Sequence, residues 1–220
     1  MVDHGGGLFE ALCPHEARYR LRAAWPGGIS EAADPYSFGL LLSEHDIYLF
    51  AEGRHFDLST RFGANLRTVD GVDGVLFAVW APNAGSVSVV GEFNGWDPRR
   101  LPMRRRLGPG IWELFVPGLT AGTIYKYAIT TPSGERLPWK ADPLARRTEL
   151  PPRTGSIVAE TPAFAWTDEN WLKHREAAHP MSEPMSTYEV HVGSWLRTEW
   201  GQMGSWNEAA DRLIPYLQHM

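Results

Sequence analysis

Short apolar runs punctuated by turn residues fill the middle of the chain. Val75-Leu76-Phe77-Ala78-Val79-Trp80-Ala81 ends at Pro82-Asn83, and Ser86-Val87-Ser88-Val89-Val90 alternates with a period of two. Ile111-Trp112-Glu113-Leu114-Phe115-Val116 stops at Pro117-Gly118, and Ile124-Tyr125-Lys126-Tyr127-Ala128-Ile129-Thr130 stops at Pro132-Ser133-Gly134. A period of two sends alternate side chains to opposite faces of a strand. Several such runs between turns predict a β-sandwich over residues 72–160. Trp80 and Trp112, inside these strands, read as core or interface residues. Upstream, Tyr19-Arg20-Leu21-Arg22-Ala23-Ala24-Trp25 alternates in the same way. A strand so isolated is not stable alone, so residues 1–33 read as the tail of a β domain. Residues 34–71 read as a helical linker, because Ile47, Leu49, Phe50 and Ala51 cluster closely enough for one or two helical turns.

The last part of the chain changes period. A polar, Pro-containing connector over residues 161–185 precedes Ser186–Trp195, which reads as a strand. Ser205-Trp206-Asn207-Glu208 has the form of a capping box. Behind it, Trp206, Ala209, Ala210, Leu213, Ile214 and Leu217 recur at the spacing of one amphipathic helix face. Pro215 is expected to bend that helix, since it removes a donor and clashes one turn back. A strand followed by a helix is half of a βαβ unit and leaves an apolar face uncovered. The expectation is therefore a fragment of a larger enzyme, interrupted at its C-terminus and at its N-terminus too.

Composition narrows the partners. The chain has 220 residues with 22 Gly and 17 Pro, which suits many turns and short strands. Its net charge of −5 argues against a nucleic-acid partner held by its phosphates. A single cysteine, Cys13, excludes an internal disulfide and any multi-cysteine metal site, and a reducing compartment is the simplest reading. No basic start followed by an apolar leader is present, and no window approaches the roughly 18 apolar residues of a membrane span. The expected localisation is cytoplasmic, with no membrane partner. No histidine pair has metal-ligand spacing, and Gly5–Gly7 lack the strand and lysine of a phosphate loop, so no metal or cofactor is expected. Arg99, Arg100 and Arg104–Arg106 read as a solvated basic loop. Adjacent Asp168 and Glu169 point apart and do not make a catalytic pair, and His191, alternating with apolar neighbours, reads as structural.

Longer motifs carry a resemblance. Phe77-Ala78-Val79-Trp80-Ala81-Pro82-Asn83-Ala84 and Val87-Ser88-Val89-Val90-Gly91-Glu92-Phe93-Asn94-Gly95-Trp96-Asp97 are similar to the glycogen-binding-type carbohydrate-binding module that precedes the barrel of α-glucan-active enzymes. Ile111–Gly118 and Tyr125-Lys126-Tyr127 continue the match. Pro184-Met185-Ser186-Thr187-Tyr188-Glu189-Val190-His191-Val192-Gly193-Ser194-Trp195 resembles the first barrel strand of 1,4-α-glucan branching enzymes, in the α-amylase superfamily (glycoside hydrolase family 13). Asp34-Pro35-Tyr36-Ser37-Phe38 and Gly53-Arg54-His55 also resemble that family, and debranching relatives usually lack that stretch.

The resemblance implies a mainly β chain, in which an immunoglobulin-like sandwich is followed by the first strand and helix of an incomplete (β/α)8 barrel over residues 186–220. It implies a parent enzyme that cuts an α-1,4-glucan and moves the piece to a 6-hydroxyl. The family's chemistry is retaining, with a covalent intermediate and two working carboxylates at the ends of later barrel strands. No catalytic residue is carried over to this sequence, and the 220 residues alone are expected to be inactive. The implied partners are α-1,4-glucan (glycogen or amylose) and the remainder of the catalytic barrel. Modules of this type stack a sugar face on an exposed tryptophan beside polar side chains. Trp96 matches the aromatic of the family's Phe-Asn-x-Trp turn, Lys126 its Tyr-Lys-Tyr/Phe lysine, and Asn94 could supply an amide in the same loop. A second tryptophan found in regulatory relatives would fall near Ser133 here, and the nearest candidate, Trp139, comes several residues later. A free-standing α-glucan-binding module and a debranching or trehalose-releasing relative are the alternatives.

Overall fold

The computed structural model describes residues 1–12, 19–106, 108–160, 164–197 and 201–220; Cys13 lies outside them. The chain forms two compact units, Met1–Pro162 and Ala163–Met220. In the first unit, β1 (Val2–Asp3) and β2 (Phe9–Glu10) make a short antiparallel pair. The alternating stretch predicted at Tyr19–Trp25 forms β3 (Arg20–Trp25), and its partner β4 (Gly28–Ala33) follows directly. The Tyr19 hydroxyl donates to Asp34, whose other oxygen accepts from the Tyr36 amide. The Tyr36 hydroxyl in turn donates to the Pro102 carbonyl.

Helix α1 (Glu44–Ala51) starts at a capping box in which Ser43 and Asp46 satisfy each other's backbone amides. It is followed by the single turn α2 (Leu58–Arg61). Residues 34–71 are not wholly a helical linker, because the sheet begins inside them: β5 (Gly63–Val69) pairs along its length with β6 (Val72–Trp80). The connection is Asp70-Gly71, both at positive φ, as a two-residue hairpin turn demands. Strand β5 escapes a pattern search because most of its stabilisation comes from this pairing and little from its own sparse apolar side chains.

Two antiparallel sheets then face each other. After β7 (Ser86–Gly91), β8 (Arg104–Arg105), β9 (Ile111–Pro117), β10 (Ile124–Thr130), β11 (Arg147–Thr148) and β12 (Ser156–Ile157), one sheet runs β5-β6-β9-β8 and the other β11-β12-β10-β7. Val75, Phe77 and Val79 of β6 and Trp112, Leu114 and Val116 of β9 meet Val87, Val89, Tyr125 and Tyr127 between the sheets. Burying each such apolar side chain stabilises the fold by about 1.5–3 kcal/mol. The opposite face of the first sheet is covered too: Leu76, Ala78 and Ile111 pack with Leu42, Ile47 and Phe62, and Phe38 meets Phe115 edge-on at 4.8 Å. Two covered faces explain why β6 reads as an unbroken apolar run. Trp80 is the exception at its end. It is exposed, with its indole N–H on the Pro109 carbonyl at 2.7 Å.

The basic run Arg104–Arg106 is not a solvated loop. Arg106 is 6% exposed and Glu113, on the adjoining strand β9, 1% exposed. Arg106 Nη1 donates to Glu113 Oε1 and to the Leu42 carbonyl, both at 2.9 Å, and Nη2 reaches Glu44. The second Glu113 oxygen accepts the Leu42 amide at 2.9 Å and the Leu41 amide at 3.3 Å. Arg104 holds the carbonyls of Tyr36 and Phe38. The arginines fasten residues 36–44 to the sheet, because buried charge persists only where it is paired.

In the second unit, α3 (Glu169–Ala177) occupies the connector. The strand expected over Ser186–Trp195 is not formed. Residues 184–191 have no regular structure and α4 (Val192–Trp195) is one helical turn. Among the described residues nothing pairs with this stretch, and a strand without a ladder leaves its amides and carbonyls unsatisfied. Helix α5 (Trp206–His219) does form, with its capping box at Ser205 and Glu208, and it runs through Pro215. On its predicted face Ala209 is buried, while Trp206, Ile214 and Leu217 remain exposed. His191 Nδ1 lies 2.9 Å from the Ser194 hydroxyl.

Candidate functional site

The outward face of β10 builds the site. Tyr125 and Tyr127 point into the core, so Lys126, Ala128 and Thr130 point the other way. After Thr130 the chain turns through Gly134, at φ 87°, and returns along β10. Leu137 donates to the Ile129 carbonyl at 2.9 Å, and Lys140 and Tyr127 exchange both backbone bonds at 2.8 Å. With Lys140 opposite Tyr127, Trp139 stands opposite Ala128 and shares the face of Lys126.

Trp96 arrives from the other side. After β7 comes one 3-10 turn, Glu92–Asn94, then Gly95 in the left-handed region. Trp96 itself has φ 56°, a conformation that disfavours a side chain by roughly 1–2 kcal/mol. Asn94 holds the turn in place: it accepts from the Gly91 amide at 3.0 Å and donates to the Val89 carbonyl at 3.0 Å and the Asp97 carbonyl at 3.4 Å. Asn94 is 4% exposed and does not line the groove described next, so its expected role as a ligand contact is corrected to that of a support for Trp96. The Trp96 indole N–H donates to Glu92 Oε1 at 2.8 Å.

Trp96 and Trp139 are brought together. Their rings are 5.4 Å apart and 11° from parallel. With a contact separation of about 3.5 Å, that distance leaves a lateral offset of about 4 Å, so the two indoles form a stepped surface. Lys126 Nζ donates to Thr154 Oγ1 at 2.7 Å beside them. The three residues, with Glu149, Arg153 and Thr154, line an open groove of about 620 Å³. These last three are residues the sequence reading missed. They sit on a loop whose Pro and Gly content marks a turn but not its position. Glu149 closes that loop by accepting the Gly155 amide at 3.0 Å.

A buried carboxylate underlies the platform. Asp142 Oδ2 accepts from Tyr125 at 2.6 Å and Tyr127 at 3.2 Å, and Oδ1 from the Leu144 amide at 2.8 Å. The Asp142 amide donates to Ser156 at 2.8 Å. Burial raises the Asp142 pKa despite these hydrogen bonds. Burial also pushes both tyrosines well above the usual range, helped by the adjacent carboxylate. The tyrosines therefore stay protonated donors and tie the segment that carries Trp139 to β10 and β12. A flat, stepped aromatic surface flanked by an ammonium, a guanidinium and a hydroxyl suits a neutral polyhydroxylated ligand with apolar C–H faces.

Among the described residues no helix is long and apolar enough to cross a membrane. Residues 61–145 match the model of carbohydrate-binding module 48, the isoamylase N-terminal domain. Over 214 residues the chain is 54% identical to a 1,4-alpha-glucan branching enzyme of Xanthomonas campestris pv. campestris, covering 97% of this chain and 29% of that protein. It is 51% identical over 219 residues to a 1,4-alpha-glucan branching enzyme of Rhizobium etli, covering 100% of this chain and 30% of that one. A Klebsiella pneumoniae pullulanase structure matches 45% of this chain and 9% of its own at 27% identity and a TM-score of 0.34. The chain thus spans about 30% of the length of the curated relatives it matches. Along nearly its whole length the chain is therefore similar to a segment of 1,4-alpha-glucan branching enzymes, and residues 61–145 within it match carbohydrate-binding module 48.

Proposed function

We propose that the module holds an α-1,4-glucan chain on the Trp96–Trp139 platform. In a protein of the relatives' length, it would keep that polymer near a site that cuts an α-1,4 bond and rebuilds it as an α-1,6 branch. In this reading residues 63–160 are the binding module, residues 1–33 belong to a separate β element, and residues 186–220 begin the catalytic barrel after a connector. The C–H faces of successive glucosyl units lie on the two indole steps, each stacked contact contributing about 0.5–1.5 kcal/mol. Lys126, kept beside Thr154, donates to ring hydroxyls from the groove wall. The observation that carries the reading is the near-parallel Trp96–Trp139 pair at 5.4 Å, with one member held in a backbone conformation that costs free energy. Strain of that kind persists where the surroundings over-determine it and function needs it.

No residue of the 220 is assigned a catalytic role, and the two-carboxylate chemistry is assigned to the part of the relatives' length that this chain does not match. The test is retention of the purified chain on amylose or glycogen resin. Wild type is retarded and Trp96→Ala is not; unchanged retention of the variant removes Trp96 from the site. Incubation of the same chain with amylose is expected to give no new α-1,6 linkages, and their appearance would overturn the assignment of catalysis elsewhere.

A further inference from the structure

Trp139 borders a second depression on the outward face of the same sheet. This trough, of about 200 Å³, is floored by Ser86 and Ser88 of β7 and by Ala128 and Thr130 of β10, with Leu137 and Arg136 at its side. The register pairs Ser88 with Ala128 and Ser86 with Thr130. Four small residues thus stand together where the neighbouring outward positions carry Val90 and Lys126, and the trough is the space they leave.

Its polar groups are poised for a ligand. Ser88 is 6% exposed, and among the described residues its hydroxyl has no hydrogen-bond partner although it opens into the trough. That hydroxyl is reachable from the trough and can donate to or accept from a ligand hydroxyl. Ser86 and Thr130 share one hydrogen bond of 2.5 Å, which leaves one proton and several lone pairs of the two hydroxyls uncommitted. Arg99, at one wall, is already held by Asp97 at 2.7 Å. Arg136 makes no hydrogen bond or ion pair among the described residues, so its guanidinium is the free donor here. From Lys126 to Thr130 the strand advances about 13 Å. A chain lying on the Trp96–Trp139 steps would therefore pass over Trp139 directly into this trough.

We propose that the trough is a second α-glucan subsite, which takes the glucosyl units that extend beyond the tryptophan platform and makes binding depend on chain length. This inference rests on the glucan-binding reading of the platform. It adds that Ser88, Thr130 and Arg136 recognise hydroxyls of the same polymer, with Trp139 as the shared wall.

The experiment titrates the whole 220-residue chain with maltotriose and with maltoheptaose by calorimetry, for wild type, Arg136→Ala and Ala128→Phe. Arg136 is exposed, so its truncation leaves the fold intact, and Ala128→Phe fills the trough from its floor. Wild type is expected to bind the longer sugar more tightly. Each variant should lose about tenfold in maltoheptaose affinity, the worth of one charge-assisted hydrogen bond, with maltotriose affinity unchanged. An undiminished preference for maltoheptaose in both variants overturns the subsite, and if Ala128→Phe melts early, Arg136→Ala alone decides. Binding that Trp96→Ala abolishes but Arg136→Ala leaves alone refutes the subsite and keeps the platform. No binding of either sugar to wild type refutes both.

Discussion

Replacing Glu113 by alanine tests how the segment before the sandwich is held. Glu113 accepts from the Arg106 guanidinium and the Leu42 amide, both buried, and from the half-buried Leu41 amide. Its removal leaves Arg106 with the Leu42 carbonyl and with Glu44, whose own side chain is 89% exposed. Breaking one side of a buried pair costs about 3–5 kcal/mol, because the surviving charge stays buried. Two amides lose their acceptor as well. The partial neutralisation by Glu44 favours the lower end, about 3 kcal/mol. Urea denaturation at pH 7, followed by near-ultraviolet circular dichroism, should show the midpoint falling by about 1.5 M for a slope near 2 kcal/mol/M. Amide exchange should place the loss: Leu41 and Leu42 become unprotected first. Joint replacement of Arg106 by Met and Glu113 by Leu should recover part of the stability, since an apolar pair of similar volume avoids the cost of a lone buried charge while the Leu41 and Leu42 amides stay without their acceptor. A loss below about 1 kcal/mol in Glu113→Ala, or a Leu42 amide as protected as in wild type, refutes the reasoning.

Other outcomes follow from the same geometry. Burial alone would raise the Asp46 carboxyl, but hydrogen bonds from Ser43 and His55 and the charge of Arg61 outweigh it and bring the pKa down from 3.8 to about 2. A depressed folded value means a stabilisation present above pH 3.8 and lost as pH falls towards 2, of the order of 2 kcal/mol. Asp46→Asn should therefore be less stable than wild type at pH 7 and converge with it near pH 2 in denaturant titrations; parallel curves would contradict the assignment. Gly110 has φ 77° and a Cβ there would sit 2.3 Å from Pro82 Cα, so Gly110→Ala should lose about 2–4 kcal/mol, read as a lowered urea midpoint. Tyr127→Phe removes one of the two hydroxyls on Asp142. It should lower stability by about 1 kcal/mol and weaken retention on amylose resin, because the segment behind Trp139 is less firmly tied.

Much of the sandwich was legible because its strands bury one or both faces within this chain. The alternation of Val87 and Val89, and of Tyr125 and Tyr127, names the core face, and the same alternation leaves Lys126 outward. Strand β5 was not legible from apolar spacing, and the Asp70-Gly71 turn that closes its hairpin went unread. The roles of Arg106 and Asn94 were hidden for a different reason. A charged residue in a basic run and an amide in a turn look solvated until their acceptors, which lie at Leu42, Glu113 and Val89, are placed beside them. The strand expected at Ser186–Trp195 failed because its pattern describes a partner-dependent element, whereas the helix from Trp206 to His219 carries its own hydrogen bonds and cap and forms regardless.

By itself the sequence determined what depends on near neighbours: the period-two strands, the turns at Gly and Pro, and the capping box at Ser205–Glu208. Tertiary structure alone decided which distant groups meet. Trp139 lies many residues beyond Trp96 and off the expected spacing, yet the return of the chain along β10 sets the two rings 5.4 Å apart. Backbone pairing fixes that meeting, through the register of Lys140 on Tyr127 and the buried hold of Asp142, and no local pattern of side chains encodes it.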